Sequence, residues 1–118
     1  MNLIGILLEI SNMKKELLRH VVLFQFKEDS QEHEIRALHQ QFIQLGKIVP
    51  TIQDFEWGLN DSPETLHQDF THCYIVSFVS EKDRDQGYTP HPAHQAFVKN
   101  IKPHLEKVFV VDFWGHRE

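Results

Sequence analysis

The sequence predicts an α+β fold in which four strands and two helices follow one another in the order β-α-β-β-α-β. Four segments are rich in β-branched and aromatic residues, which favour strands. Two other segments repeat apolar residues at intervals of three and four, which is typical of amphipathic helices. The chain has 118 residues, the usual length of one domain, and no repeat or linker indicates a second domain. This order of elements is the ferredoxin-like arrangement.

The first strand and the first helix are predicted before Pro50. The stretch from Arg19 to Lys27, RHVVLFQFK, has the composition of a strand. Asp29 or Ser30 can cap the helix that follows, with Glu32 in its first turn, and Pro50 ends this helix. Its apolar face consists of Ile35, Leu38, Phe42, Leu45 and Val49.

The second and third strands are predicted from Ile52 to Leu59 and from Phe70 to Val79. Between them, the segment from Asn60 to Glu64 reads NDSPE, which is turn composition. After the third strand, the polar stretch from Ser80 to Gln86 indicates a cap or a short helical turn.

The second helix and the fourth strand complete the order. A helix is predicted from Pro92, a residue favoured in the first turn, to about Asn100. Pro103 interrupts this helix before a last turn at His104 to Lys107. The segment from Val108 to Trp114 is the fourth strand.

Both faces of the predicted sheet are apolar. Two helices can cover only one of them, and an apolar sheet face needs cover. We therefore expect the other face to pack against the same face of a second copy across a two-fold axis, which predicts a homodimer. In the first strand the two faces carry His20, Val22, Phe24 and Phe26 on one side and Val21, Leu23 and Gln25 on the other.

The net charge and the cysteine content limit which binding partners and which cellular compartment we expect for this protein. The formal net charge of −5 provides no basic surface for nucleic acid or an anionic membrane. The single cysteine, Cys73, excludes an intramolecular disulfide and is typical of a reducing compartment. We expect a cytoplasmic protein.

The N-terminal residues 1–18 are interpreted as an extension that precedes a single domain over residues 19–118. The apolar run from Leu3 to Leu8 follows no positive charge and precedes no small-residue cleavage site, so a signal peptide is not expected. This run is also too short to span a bilayer. Met13, followed by Lys14 and Lys15, is a plausible alternative translation start.

The most informative segment runs from Tyr88 to Phe97 and reads YTPHPAHQAF. His91 and His94 are about one turn apart on the same helical face, and imidazoles accept and donate protons near neutral pH. A metal site would need further ligands at a recognisable spacing, and the sequence offers none. We interpret His91 as a helix cap and His94 as a residue facing a pocket, and we expect no metal.

Three polar side chains, His20, His72 and Asp112, share the parity of an apolar strand face. A carboxylate within VFVVDFW is costly unless it is paired, and an imidazole is the obvious partner. Two interpretations remain open. Asp112 satisfies a histidine or a helix terminus, or the three residues belong to a His/Asp/Tyr cluster that lines a pocket between the sheet and the helices.

Five ordered segments of the chain resemble the stress-responsive dimeric α/β-barrel domain family. They span nearly everything from Arg19 to Trp114. The resemblance implies a ferredoxin-like subunit whose sheet pairs with that of a second subunit to form a dimeric α/β barrel. The segments are RHVVLFQFK at 19–27, FEWGLNDSPE at 55–64, FTH at 70–72, YxxHPAHQAF at 88–97 and VFVVDF at 108–113.

Within this family, the chain is also similar to a plant polyketide cyclase that works without metal or cofactor. The similarity implies that His94 is a general base and that the hydroxyl of Tyr88 stabilises a developing oxyanion. It implies supporting roles for His20, His72 and Asp112. The expected substrate pocket is lined by Val22, Phe24, Leu38, His39, Phe42, Tyr74 and Val110, where His39 and Tyr74 differ from the residues of that cyclase.

Three functions are compatible with these patterns. The first is a stress-responsive barrel that binds a small molecule in a pocket between sheet and helices. The second is a cofactor-independent cyclase, lyase or isomerase that uses His94 and Tyr88 for proton transfer on an enolisable, polyketide-like carbonyl compound. The third is a cofactor-free monooxygenase of related fold. The sequence leaves open whether the protein is an enzyme, because a fold alone does not specify a reaction.

Overall fold

A four-stranded antiparallel sheet with two helices on one face forms the body of the computed structural model, which describes residues 2–7 and 16–118. The strand order is β2-β3-β1-β4, so β1 and β3 are central. The predicted ferredoxin-like α+β subunit is confirmed. Its elements are β1 (Leu18–Phe26), α1 (Glu32–Ile48), β2 (Asp54–Leu59), β3 (His72–Phe78), a π-helical turn (Asp83–Tyr88), α2 (Pro92–Ile101), a 3-10 turn (Lys102–His104) and β4 (Leu105–Trp114).

The first helix begins later than either predicted cap would place it, by one residue relative to Ser30 and by two relative to Asp29. Its N-cap is Gln31, whose backbone N–H donates to the Glu34 carboxylate at 3.0 Å. Ser30 instead holds a tertiary contact, because its hydroxyl lies 3.0 Å from His104 Nδ1. The expectation that Asp29 or Ser30 caps this helix was therefore wrong.

The fourth strand is longer than predicted. Pro103 lies within the 3-10 turn. Pairing with β1 begins directly after this turn, where Leu105 stands opposite Phe26 beside a shift in the register. Lys27 N–H donates to the His104 carbonyl at 2.8 Å, which holds this corner against the end of β1. The predicted turn at His104 to Lys107 was thus wrong for residues 105–107, which the ladder with β1 holds in the strand.

The hydrophobic core lies between the helices and one face of the sheet. Phe42 from α1 and Phe97 from α2 stack with ring centroids 4.5 Å apart and an interplanar angle of 20°. Both rings pack on Phe24 of β1, and Phe42 also contacts Tyr74 of β3. His20 and Val22 share one face of β1, as strand alternation predicted, and this face is turned towards the helices.

The opposite face of the sheet, which we call the open face, is apolar and partly exposed. In its centre Val21 stands opposite Val111 on one side and Ile75 on the other. Phe109, Val111 and Phe113 are each 46–48% exposed. The prediction that both faces are apolar is confirmed.

Of the predicted N-terminal extension, the structure describes residues 2–7 and 16–18, and Leu18 is already part of β1. Residues 3–7 are helical, and the candidate start at Met13 lies outside the described residues. None of the helices within residues 2–7 and 16–118 has the length and apolar character needed to cross a membrane.

Candidate functional site

A cavity of about 340 Å³ lies between α2 and the strands β1 and β4. It opens beside β4, where Val108 and Val110 are both 52% exposed. Its wall is apolar except for two histidines, a tyrosine and a lysine. The lining residues are His20, Val22, Phe24, Phe42, Tyr88, His94, Phe97, Val98, Ile101, Lys102, Leu105, Val108 and Val110.

His94 is held so that only one of its ring nitrogens can act as a base. The Nδ1–H donates to the Thr89 carbonyl at 2.9 Å, because a carbonyl oxygen can only accept. In the neutral ring the lone pair then resides on Nε2. Burial in the cavity wall lowers the pKa of His94, and the nearby His20 and His91 lower it further, while the bond to Thr89 opposes them. His94 is therefore a neutral base at pH 7.

His91, by contrast, builds the helix start. Its backbone is extended, and its Nδ1 accepts a hydrogen bond from Ala93 N–H at 3.1 Å, with Pro92 in the first turn of α2. The sequence assigned this capping role correctly. Cys73 lies on the open face, away from both histidines, and no group of three or more His, Cys, Asp or Glu side chains in the described part of the chain is placed to hold a metal ion.

Tyr88 ends the π-helical turn and is almost fully buried, with 2% of its surface exposed. Its ring centroid lies 4.1 Å from that of His94 and 5.9 Å from that of His20. Burial raises the pKa of the Tyr88 hydroxyl, as does the charge of Asp112. The hydroxyl is therefore protonated at neutral pH. Within the described residues it makes no side-chain hydrogen bond, so it is free to donate to a ligand in the cavity.

The position of Tyr88 depends on close packing beneath its turn. A Cβ added to Gly87 would lie 2.4 Å from Thr51 Oγ1, which is inside van der Waals contact. The Thr51 hydroxyl in turn donates to the Asp83 carbonyl at 3.0 Å. The absence of a side chain at Gly87 lets the turn approach the end of α1 and place Tyr88 in the cavity wall.

A chain of charged hydrogen bonds orients His20. Asp112 stands opposite His20 in the β1–β4 register, and its Oδ1 accepts from His20 Nδ1–H at 2.7 Å. The other oxygen of Asp112 accepts from Arg84 Nη1 at 2.9 Å. Bonds to Asp85 and Asp112 raise the pKa of Arg84, and the bond to Arg84 lowers that of Asp85. With Nδ1 committed to Asp112, the Nε2 of His20 is the nitrogen available to the cavity.

The structure brings together four of the five expected catalytic residues, His20, Tyr88, His94 and Asp112, and separates His72 from them. His72 stands opposite Phe24 in the register, not opposite His20, so it lies at the far end of the sheet. There it meets Thr71 Oγ1 at 2.8 Å and lies across the Phe26 ring. The expectation that one cluster holds all five is corrected, because the antiparallel register displaces the two histidines along the strands.

The expected substrate-binding residues are divided as well. Val22, Phe24, Phe42 and Val110 line the cavity, whereas Leu38, His39 and Tyr74 do not. Leu38 is buried in the core. The Tyr74 hydroxyl is hydrogen-bonded to His39 Nδ1 at 2.7 Å, so these two side chains bind each other instead of facing the cavity.

His39 and His72 instead border a second, shallower depression of about 210 Å³. The His39 ring lies edge-on to Trp57 at 4.2 Å and 6.3 Å from the His72 ring. Burial lowers the pKa of both histidines, and the neighbouring His39 lowers that of His72 further. This depression lies between α1 and β2, on the other side of the core from His94.

Two contributions to the site were missed from the sequence. Arg84 lies in a polar segment whose composition predicted only a turn, and nothing in the local pattern shows that it reaches Asp112. The lower wall of the cavity comes from α2 and the corner after it, including Val98, Lys102 and Leu105. The sequence predicted a helix from Pro92 to about Asn100, but a helix face that lines a cavity and one that packs in a core have the same periodicity.

A model of the stress responsive A/B barrel domain matches residues 18–115. The chain belongs to this family. It is 34% identical over 95 residues to the stress-response A/B barrel domain-containing protein HS1 of Arabidopsis thaliana, and the match covers 80% of this chain and 86% of that protein. The family resemblance inferred from five sequence segments is thus confirmed.

Enzymes are among the relatives of this family member. Olivetolic acid cyclase of Cannabis sativa is 26% identical over 95 residues, covering 80% of this chain and 93% of the cyclase. The solved structure of hydroxynitrile lyase from Passiflora edulis superposes with a TM-score of 0.80 at 25% identity, covering 88% of this chain and 97% of the lyase. The same subunit shape therefore occurs in a protein named as a lyase, and a similar sequence occurs in a protein named as a cyclase.

Proposed function

We propose that this protein is a cofactor-independent cyclase or lyase that transfers protons on an enolisable carbonyl compound, with His94 as the base. The observation that carries the proposal is the hydrogen bond from His94 Nδ1–H to the Thr89 carbonyl. It leaves the Nε2 lone pair of a residue in the cavity wall without a hydrogen-bond partner among the described residues. A neutral imidazole in a partly dry site is a suitable general base near neutral pH.

The proposed reaction begins with removal of a proton from the carbon next to a carbonyl group. The C–H bond breaks, its proton moves to His94 Nε2, and its electron pair becomes the enolate. The hydroxyl of Tyr88 donates a hydrogen bond to the enolate oxygen, which stabilises the charge as it develops. In a cyclase, the enolate carbon then attacks a second carbonyl of the same molecule, and protonated His94 returns its proton to the new alkoxide. In a lyase these steps run in reverse.

His20 has a supporting part in this proposal. Its Nδ1–H is held by Asp112, and Asp112 is held by Arg84. A fixed imidazole with Nε2 in the cavity accepts a hydrogen bond from a hydroxyl group of the substrate. The apolar remainder of the wall, from Val22 and Phe97 to Val110, favours a substrate with a hydrocarbon portion.

We further propose that the protein is a homodimer in which the open faces of two subunits pack together. Three large side chains of β4, Phe109, Val111 and Phe113, lie next to one another across that face and are nearly half exposed. Contiguous apolar surface of this kind is rare on a monomer and typical of a subunit interface. A two-fold axis would pair the face with itself and bury both copies at once.

Hydrogen–deuterium exchange tests the proposed base without knowledge of the natural substrate. A medium-chain methyl ketone such as 2-decanone is incubated with the protein in D₂O, and loss of its α-protons is followed by NMR. We expect the α-protons to exchange faster with the protein than in buffer alone. In the His94→Ala protein the exchange rate should fall by about 10²–10⁴-fold, the usual contribution of a general base.

Two controls separate catalysis from other effects. His33→Ala changes an exposed histidine of α1 far from the cavity and should leave exchange at the wild-type rate. Equal exchange in wild type and His94→Ala would rule out the assigned base. Binding of the ketone without any exchange would favour the alternative that the barrel only binds a small molecule.

A further inference from the structure

We propose that Lys102 binds a carboxylate at the end of the cavity opposite His94, so that the ligand is an elongated ketone with an anionic group at its far end. This inference rests on the proposed function, since it names the substrate class of the same cavity. It concerns a residue that neither the motif around His94 nor strand alternation had singled out.

The cavity wall follows β1 and α2, and the acid–base groups lie at one end of the lining part of both elements. His20 and His94 mark that end, and the wall then follows β1 to Phe24 and α2 to Ile101 and Lys102. At a rise of 1.5 Å per residue, His94 and Lys102 are separated by about 12 Å along the helix. At 3.3 Å per residue, the distance from His20 to Phe24 along β1 is about 13 Å. The two estimates agree and describe a slot suited to a medium-length chain.

Among the described residues that line the cavity, Lys102 carries the only permanent charge and none is a carboxylate. The other cation near the site, Arg84, is bound by Asp85 and Asp112. Within the described residues, Lys102 makes no side-chain hydrogen bond or ion pair, so its ammonium group is available to a ligand.

The surroundings of Lys102 favour an anion at that position. The lysine lies at the cavity mouth beside the apolar side chains of Ile101, Leu105 and Val108. Low-dielectric walls concentrate the field of a charge at their edge. The net charge of the chain is −5, which by itself disfavours an anion. A preference for an acid over its neutral analogue would therefore have to come from a local cation, and Lys102 is such a cation.

A structural explanation for Lys102 also exists. The residue is the C-cap of α2, where a cation interacts favourably with the helix dipole. That role would affect the stability of the helix and would not distinguish between ligands. The test therefore compares ligands as well as variants.

The probe is 9-oxodecanoate, which carries a methyl ketone and a carboxylate at opposite ends of a saturated chain. Its neutral counterpart is 9-oxodecanamide, and 4-oxopentanoate is too short to reach both ends of the slot. Affinity is measured by calorimetry, and exchange of the α-protons is measured in D₂O. We expect the wild-type protein to bind the long acid roughly two- to fivefold more tightly than the amide, as an exposed ion pair does, and this preference should decrease with added salt.

Three variants test the effect of the charge of Lys102 by itself. Lys102→Gln should lose the preference for the acid while binding the amide as before, and Lys102→Arg should retain the preference. Lys99→Gln removes an exposed lysine from the last turn of the same helix, outside the cavity, and should behave as wild type. Equal affinity of the wild-type protein for acid and amide would overturn the proposal, as would an unchanged preference in Lys102→Gln.

The two proposals fail separately. If the acid preference depends on Lys102 but no ketone exchanges its α-protons, the carboxylate site stands and the assigned base does not. If 2-decanone exchanges its α-protons through His94 but the protein binds the acid no more tightly than the amide, the assigned base stands and the carboxylate site does not. Preferential binding of the short 4-oxopentanoate would contradict the slot geometry.

Discussion

His20 and Asp112 stand directly opposite each other on β1 and β4, and their side chains meet at 2.7 Å on the face that looks towards α2. The partner of this pair is Arg84, which binds the second oxygen of Asp112 at 2.9 Å. The three side chains are partly buried. The carboxylate of Asp112 accepts a hydrogen bond from His20 and neutralises the charge of Arg84. The cavity thus has one histidine fixed by a carboxylate and another, His94, fixed by a backbone carbonyl.

Replacing Asp112 should break this chain of bonds. In Asp112→Asn the amide can no longer neutralise Arg84 or accept equally well from His20, and we expect a loss of about 1–3 kcal/mol in the free energy of unfolding. Urea denaturation measures this loss, and ¹⁵N shifts of His20 report its tautomer. Asp85→Asn also removes a partner of Arg84, but an exposed one, and should change stability little. Equal effects of the two substitutions would contradict the assigned role of Asp112.

The two buried tyrosines should respond differently to loss of their hydroxyls. Tyr74 is hydrogen-bonded to His39, so Tyr74→Phe should lower the free energy of unfolding by about 1 kcal/mol. The hydroxyl of Tyr88 has no such partner in the described residues, so Tyr88→Phe should leave stability nearly unchanged. Its effect should appear in ketone exchange, with a decrease of roughly 10–10³-fold if it stabilises the enolate. Thermal unfolding and the D₂O assay measure the two quantities, and a Tyr88→Phe protein with full exchange activity would exclude the hydroxyl from the reaction.

The rate of exchange should follow the protonation of His94. Because burial lowers the pKa of His94, the ring remains neutral below the ordinary imidazole value of about 6.5. The rate should therefore stay on its plateau as pH falls through 6.5 and should decline only at lower pH. A pH–rate profile of 2-decanone exchange measures this limb. A limb centred above 6.5 would show that another group, or a different state of His94, limits the reaction.

Stability should fall as the solution becomes acidic. The pKa values of His39, His72 and His94 are all lowered in the folded protein, chiefly by burial. Between an unfolded value of about 6.5 and the lower folded values, the unfolded chain holds more protons, so the free energy of unfolding decreases as pH falls through this window. Above the window the stabilisation is complete. Denaturation at several pH values checks the slope, and His72→Gln should flatten it, whereas a steeper slope in that variant would contradict the assignment.

A charge in the centre of the open face should prevent self-association. Val111 stands opposite Val21 in the centre of the open face. In a two-fold dimer, Val111→Lys would therefore bury one ammonium group from each subunit in the proposed interface. We expect the wild-type protein to sediment as a dimer and Val111→Lys as a folded monomer. Ile48→Lys introduces the same charge at an exposed position at the end of α1, away from that face, and should remain dimeric. A monomeric wild-type protein would overturn the proposed dimer.

Element type and sheet face were predictable from the sequence because both depend on local patterns. Alternation along β1 placed His20 with Val22 and Phe24, and the apolar repeat of α1 identified Phe42 as a core residue. The errors occurred where a local pattern competes with a tertiary contact. Ser30 has the composition of a cap, but it contacts His104, and the segment after Pro103 has the composition of a turn, but it pairs with Phe26.

Only the tertiary structure decided which of the polar residues form the site. Parity put His20, His72 and Asp112 on one face, yet it contains no information on strand order or register. The pairing of β1 with β4 brings His20 to Asp112, and the pairing of β1 with β3 puts His72 opposite Phe24 instead. Arg84 reaches Asp112 because the π-helical turn packs against these strands. Lys102 lies at the cavity mouth because the C-terminal end of α2 packs there too. The sequence therefore determined the elements, their apolar faces and the family, and the long-range packing determined the chemistry that those faces bring together.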